Sequence, residues 1–414
     1  MNTSSQIKKF TDITSVFVIN NKTPIEDENG IYLMSNSVMT TKNQSIGFTP
    51  VHAVHWDRIV IDEAHLLRNN KSKIYQSCML LKSDIKWALT ATPVMNRMTD
   101  FVHLMQWFNV SQFLCQTEKE SVTNYFIMRR TKEDVASYNN ELKLPECKID
   151  VHYIPFETRS EADLYLDVFA RERKKVLNSS NKTVTDLLEH LLRIRQLSIH
   201  PQLYYDGIAK KNKQTSEKWT SSVTKVNKLL EGLKKQPEKE KTLVFCQFIK
   251  EMDIYQNELT NNGYIVRRLD GSMNMEDRNI AVQEFTMLPE ITVFLIQIAT
   301  GGQGINLQIA NHIHIMSPSW NPAIEYQAIG RAHRTGQTKR VHVTKYVISS
   351  GDEYTPFVEE NMICLQQKKK GIISSILKDD RILNDGTNFL SSGDSELSKG
   401  ELLNLFNITR KSLK

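Results

Sequence analysis

The sequence predicts an α/β chain of two lobes in tandem, each built on a parallel sheet. The first lobe is incomplete on its N-terminal side, and a helical insert separates the two. Three observations carry this expectation. Apolar runs of strand length end in polar or glycine motifs in two separate series, one between Ser15 and Pro93 and one from Thr242 onward. A mostly helical stretch from Phe101 to Leu203 lies between them. The length of 414 residues suits two to three domains at roughly 150 residues each.

Taken in order, short β-like runs occupy Ser15 to Asn20 and Ile31 to Ser35. The run Arg58 to Ile61 is apolar toward both faces, which predicts a buried parallel strand, and it leads into Asp62-Glu63-Ala64-His65. Trp87-Ala88-Leu89-Thr90 leads into Ala91-Thr92-Pro93. Apolar spacing predicts a helix over Thr183 to Leu197, after an exposed loop at Asn178 to Lys182. Lys210 to Lys241 holds ten lysines against four glutamates and reads as an inter-lobe linker. It encloses one amphipathic helix with Val223, Val226, Leu229, Leu230 and Leu233 on the buried face. Further strands are expected at Thr242 to Cys246, Tyr264 to Leu269, Ile291 to Ile298, His312 to Met316 and Val341 to Ile348. A short helix around Leu397 to Phe406 closes the chain. The boundaries that follow are 1–110 for the incomplete first lobe, 111–205 for the helical insert, 206–241 for the linker, 242–372 for the second lobe and 373–414 for the tail.

Composition excludes several classes. Hydrophobic residues at 40% and charged residues at 24% argue against a wholly disordered, collagen-like or coiled-coil chain. No apolar run approaches the roughly 18 residues of a membrane span, and the polar start from Met1 to Phe10 carries no signal-peptide pattern. Five scattered cysteines without a C-x-x-C pair exclude a zinc ribbon or RING finger and suit a reducing compartment. His52, His55 and His65 have no cysteine nearby and do not make a zinc site. A net charge of +6 is compatible with nucleic acid.

An apolar strand ending in Asp-Glu is what a nucleotide triphosphatase needs. Asp62 would bind waters on Mg²⁺ and Glu63 would polarise the attacking water. The plain alternative is a strand end followed by acids that favour a helix N-terminus. Arg331 and Arg334, three apart, would share one helix face and could reach a γ-phosphate, or could simply form a solvated basic face. Gly301-Gly302-Gln303-Gly304 after a strand lets backbone approach a ligand closely.

Read together and in order, these segments resemble the Swi/Snf-type ATPases of the superfamily-two helicases. Asp62-Glu63-Ala64-His65 matches motif II and Leu89-Thr90-Ala91-Thr92-Pro93 matches motif III. Met128 to Val135 and Leu144-Pro145 are similar to the stretch after lobe one, and Arg193 to Leu197 with His200-Pro201 to the family's helical insert. Val244 to Phe248 resembles motif IV, and Leu269 to Ser272 with Arg278 the element after it. Thr300 to Leu307 resembles motif V, and Trp320-Asn321-Pro322 with Gln327 to Gln337 resembles motif VI and its lead-in. Ser398 to Phe406 is similar to the closing helix. The compact layout and the missing RING resemble the global transactivator branch of large insect DNA viruses.

The resemblance implies two RecA-like lobes with ATP and Mg²⁺ between them, acting on double-stranded DNA. In that frame Asp62, Glu63, Arg331 and Arg334 are catalytic, with Gly302, Gly304 and Gln327 also at the nucleotide. Thr90, Thr92, Asn306, Trp320 and Asn321 couple to DNA. For Trp320 a core position, and for Thr92 a plain strand end, are the alternatives. The resemblance also implies a nuclear location and chromatin proteins as partners, but no membrane. The family's P-loop, G-x-x-x-x-G-K-[ST], occurs nowhere in the sequence, and Gly30 and Gly47 are the only glycines before Asp62. Three explanations stay open: a truncated product, a P-loop from another chain, or a binding module that does not hydrolyse ATP. Losing the P-loop also removes its strand from the sheet, which leads to the expectation of exposed sheet edges and unburied apolar surface in the first lobe.

Overall fold

A computed structural model of the chain describes residues 7, 11, 15–19, 25, 29–39, 49–93, 98–139, 143–178, 183–238, 240–300, 305–352, 355–377 and 399–408. These fall into two compact units, one running to Arg129 and the other from Arg130 to Lys370 with the C-terminal helix Lys399–Asn404.

In the first unit, β1 (Val16–Ile19) and β2 (Ile31–Met34) pair in parallel. A second parallel pair joins β3 (His55–Asp62) to β4 (Lys82–Leu89), with Asp62 opposite Leu89 at the carboxyl ends. Parallel neighbours need a crossover. Here it is a 3₁₀ turn, Ala64–Arg68, followed by α1 (Lys73–Met79), whose N-cap Ser72 accepts from the Tyr75 N–H. Helices α2 (Met98–Trp107), α3 (Gln112–Thr117) and α4 (Lys119–Phe126) follow. Phe101, Met105 and Trp107 are fully buried among Ala64, Leu67 and Cys78, and Ile59, Ile61 and Ala88 from the sheet pack on that cluster.

The opposite face of the β3–β4 pair is bare. Val60 is 50% exposed, Trp87 52% and Leu89 49%. Arg58–Ile61 was expected to be covered on both sides, and the structure corrects this: burial alternates along both strands. A two-stranded sheet with helices on one side buries only every second side chain.

The second unit holds a six-stranded, all-parallel sheet. Its strands are β5 (Cys147–Ile154), β6 (Thr242–Cys246), β7 (Ile265–Leu269), β8 (Ile291–Gln297), β9 (His312–Ile315) and β10 (Val341–Ile348), in the order β5-β10-β9-β6-β8-β7. Every residue of the central strand β6 is buried, with one apolar cluster on each sheet face. That is the two-sided burial its Leu-Val-Phe run demands.

Helices α5 (Arg159–Asn178), α6 (Val184–Ile199) and α7 (Pro201–Asn212) form a third cluster. The C-terminal helix joins it through Leu402, and the turn after the helix through Leu405 and Phe406. Thr183 starts α6 with a reciprocal capping box to Asp186. Burial pushes the His200 imidazole down to about 4, so it is neutral and its Nδ1 accepts from Gln202 N at 3.0 Å, capping α7.

Two organisational expectations change. The stretch 111–205 is not one insert: α3 and α4 belong to the first unit, whereas β5 pairs along its whole length with β10. The segment 206–241 is not a free linker either. Its helix α8 (Thr224–Lys234) buries Val226, Leu229 and Leu233 in the second unit's core, with Val223 just before it buried there too and Leu230 partly covered. The N-terminus of α8 is capped from a distant helix, because Glu161 of α5 accepts from Thr224 N at 3.0 Å and Thr224 Oγ1 at 2.7 Å. The unit also holds a helix at Lys132–Tyr138, helices α9 (Ile249–Asn261), α10 (Met275–Met287) and α11 (Pro322–Ile329), and α12 (Val358–Leu377) as far as Lys370. No helix among the described residues is long and apolar enough to cross a membrane.

Candidate functional site

Strand β3 delivers Asp62 at its carboxyl end, exposed, with Oδ1 accepting from Glu63 N at 2.9 Å. The chain then turns sharply. Glu63 has φ 51° and ψ 47°, a left-handed conformation that costs a non-glycine residue roughly 1 kcal/mol or more. After this turn the Glu63 Oε2 lies 3.2 Å from His65 Nδ1. Thr90 Oγ1, just past the end of β4, lies 3.5 Å from the same nitrogen, the outer limit of a hydrogen bond, and accepts from Thr92 N at 3.1 Å. Motifs II and III therefore meet through His65, on adjacent strand ends. His65 as this junction is the residue that reading the sequence missed. The signal available was a histidine three residues past a strand-end aspartate, with a threonine closing the neighbouring strand. Thr92 Oγ1 is buried with no hydrogen-bond partner among the described residues.

The donor set fits a metal that arrives with a nucleotide. Mg²⁺ held with phosphates takes one or two protein carboxylates and keeps several waters. Asp62 and Glu63 offer that, whereas no group of three metal-ligating side chains exists among the described residues.

In the second unit, Gly302 and Gly304 lie outside the described residues. The segment just after them is tied to motif VI: Leu307 N donates to the Arg331 carbonyl at 3.0 Å. Gln337 Nε2 donates to the carbonyls of Gln308 and Ala310 at 2.9 Å each. Asn306 is exposed, and its Oδ1 accepts from Gln308 N at 3.3 Å. Gln327 Nε2 is buried with no partner among the described residues, a donor without an acceptor.

The expectation that Arg331 and Arg334 share a helix face is corrected. Helix α11 ends at Ile329, and Gly330 begins a run of tight turns in which Arg331 N donates to Ala328 O and Gln337 N to Arg334 O. The two arginines stay three apart along these turns, on irregular backbone.

The structure also redirects Asn321, expected at DNA. It is buried, and its Oδ1 accepts from Ala323 N at 3.0 Å, capping α11. Trp320 beside it is half-buried against the α5–α6 cluster.

Beneath this loop lies a buried ion pair that the sequence did not announce. Lys225 Nζ of α8 sits 2.7 and 2.8 Å from the two oxygens of Glu359 in α12, both side chains fully buried. Lys225 also donates to Met316 O at 2.5 Å, and Glu359 accepts from Ser317 Oγ at 2.8 Å and Ile348 N at 2.8 Å. Burial lowers the lysine below its ordinary range, and the Glu359 carboxylate opposes that.

Comparison with known proteins adds to this geometry. Residues 6–119 match the SNF2-related domain and residues 224–336 the helicase conserved C-terminal domain. The human helicase-like transcription factor is 24% identical, covering 82% of this chain and 45% of that protein. A probable global transactivator of Orgyia pseudotsugata multicapsid polyhedrosis virus is 26% identical over 78% of this chain and 67% of its own. The human SWI/SNF-related matrix-associated actin-dependent regulator of chromatin subfamily A member 1 is 29% identical, over 85% and 34%. The chain thus spans under half the length of the two human relatives. With an SNF2-related domain followed by a helicase C-terminal domain, in the order the motifs run, the chain belongs to the SNF2-type helicase-like ATPases of superfamily two.

Proposed function

We propose that this chain serves an ATP-driven translocase that moves on double-stranded DNA without separating the strands. The observation that carries the reading is the junction of Asp62, Glu63, His65 and Thr90, which links a metal-holding strand end to the neighbouring strand through one imidazole. ATP with Mg²⁺ would supply the phosphoryl group whose hydrolysis drives movement. Asp62 would hold the metal's waters, Glu63 would orient the attacking water, and Arg331 and Arg334 would bring positive charge to the phosphate. Gln327 has a buried amide donor with no partner among the described residues, which would suit a nucleotide oxygen, and Gly302 and Gly304 would let backbone come close to it. Thr90, Thr92, Asn306 and Trp320 face the duplex. The named relatives in transcription and chromatin regulation support DNA as substrate, the nucleus as location and chromatin proteins as partners.

A second reading rests on one specific observation, the absence of a G-x-x-x-x-G-K-[ST] string. The chain then binds duplex DNA or chromatin without hydrolysing ATP. Steady-state ATP hydrolysis with and without duplex DNA separates the two. The first reading predicts duplex-stimulated hydrolysis that Glu63→Gln lowers by about 10²-fold or more, the usual weight of a general base. Hydrolysis no faster than in the Glu63→Gln chain overturns it. Duplex binding that ignores ATP and survives Arg331→Ala then establishes the second.

A further inference from the structure

The loop from Met316 to Trp320 is held by buried and half-buried side chains on several elements. Lys225 holds the Met316 carbonyl and Glu359 the Ser317 hydroxyl. Glu325 Oε1 accepts from Ser319 N at 2.7 Å, and Gln366 Nε2 donates to Ser319 O at 2.5 Å. Gln247 Nε2 donates to Ser319 Oγ at 3.0 Å, and Lys369 Nζ to Trp320 O at 2.7 Å. All these contacts fix backbone or small side chains. Among the described residues, one cation lies over the indole ring itself, that of Arg195 of α6, whose guanidinium carbon is 4.8 Å from the Trp320 ring centroid. Its Nη2 donates to Pro318 O at 3.1 Å.

Arg195 is an expensive residue to place there. It is 5% exposed, its Nε is buried with no acceptor, and no carboxylate forms an ion pair with it among the described residues. Burial pushes the guanidinium down to about 10, against the pull of the Glu359, Glu251 and Glu325 carboxyls, so it remains charged at neutral pH. An apolar side chain of similar volume would fill the space at lower cost. What such a side chain lacks is a flat cation that fixes an aromatic plane.

We propose that Arg195 is a positioning residue: through its stack on the ring and its hydrogen bond to Pro318 it sets the orientation in which Trp320 meets duplex DNA. This rests on the duplex reading above. It makes Arg195 a determinant of DNA engagement although it lies buried beneath the contact.

The test uses the full chain labelled with 5-fluorotryptophan, in which Trp320→Phe assigns the Trp320 ¹⁹F resonance, and anisotropy with a fluorescent duplex at low salt. Arg195→Lys keeps the charge and loses the flat stack. It is expected to shift the Trp320 resonance while leaving the Trp107 resonance in place. It should weaken duplex binding roughly three- to thirtyfold, the span of a cation–π contact. Arg195→Lys added to Trp320→Ala should weaken binding no further than Trp320→Ala alone. An unmoved Trp320 resonance, or an equal loss from Arg195→Lys in the Trp320→Ala background, overturns the proposal. Normal binding by Trp320→Ala overturns the proposal too, and duplex binding that persists in that variant shows that the duplex reading itself has not failed with it. If Arg195→Lys does not fold, ¹⁹F relaxation of the wild-type chain decides. A Trp320 ring as ordered as Trp107 supports the proposal, and a freely reorienting ring overturns it.

Discussion

At the start of α9, the buried carboxyl of Glu251 accepts from Gln247 N at 2.7 Å and Phe248 N at 3.1 Å through one oxygen, while its other oxygen has no partner among the described residues. Burial pushes this group up to about 7, against those two hydrogen bonds and the nearby Lys225 and Arg195. The folded state therefore binds a proton that the unfolded chain releases near pH 4.5. Stability from this group is complete below the unfolded value and is lost as pH rises from there through about 7, a loss of up to roughly 3 kcal/mol. Glu251→Gln keeps an acceptor for both N–H groups and cannot ionise. Denaturant unfolding from pH 5 to 8 should show the wild-type chain losing stability relative to the variant as pH rises, because the depressed His200 and His314 add the same opposite slope to both; a difference between the two that does not change with pH would refute this. Single residues were unevenly legible in the sequence. Asp62 and Glu63 stood out because an apolar strand ended on them. His65 did not, because its role depends on Thr90 in a neighbouring strand. Asn321 was misassigned because a helix cap and a phosphate contact use the same amide, and only burial separates them.

At the scale of elements, α8 is held to α12 by the pair Lys225–Glu359, fully buried. Leaving one charge of such a pair unmatched costs about 3–5 kcal/mol. Lys225→Met should lower unfolding free energy by about that amount, since among the described residues Glu359 then keeps only Ser317 and Ile348 as donors. Lys225→Met with Glu359→Gln should recover much of the loss, because the buried charge is gone. A double variant no more stable than Lys225→Met would contradict the pairing. Most strands of the second unit were legible because continuous apolar runs such as Leu243-Val244-Phe245 have no other stable placement than the middle of a sheet. Strand β5 was lost in a helical stretch. Its alternation of Ile149, Val151 and Tyr153 with Lys148, Asp150 and His152 was present, but an edge strand with one covered neighbour gives a weak signal. The helix in 206–241 was legible and its apolar face correctly read. Its place in the second unit's core was not, because lysine density says nothing about where a helix docks.

At the scale of the whole molecule, the two units differ in how their sheets are covered. The second has a sheet covered on both faces, whereas the first leaves Val60, Trp87 and Leu89 open on β3 and β4. The guanidinium of Arg58 over the Trp87 ring, 5.2 Å from its centroid, covers part of that surface. This matches the expectation, drawn from the motif pattern, of apolar area left bare in the first lobe. Both functional readings share one central claim, that the chain engages duplex DNA through phosphates rather than base sequence. The most direct measurement is equilibrium binding of the full chain to duplexes of unrelated sequence across a salt series. The account predicts binding at low salt with similar affinity for every duplex. It also predicts a linear fall of log K with log salt, at about −0.9 per phosphate contacted. No binding at low salt, or binding confined to one sequence, would contradict it.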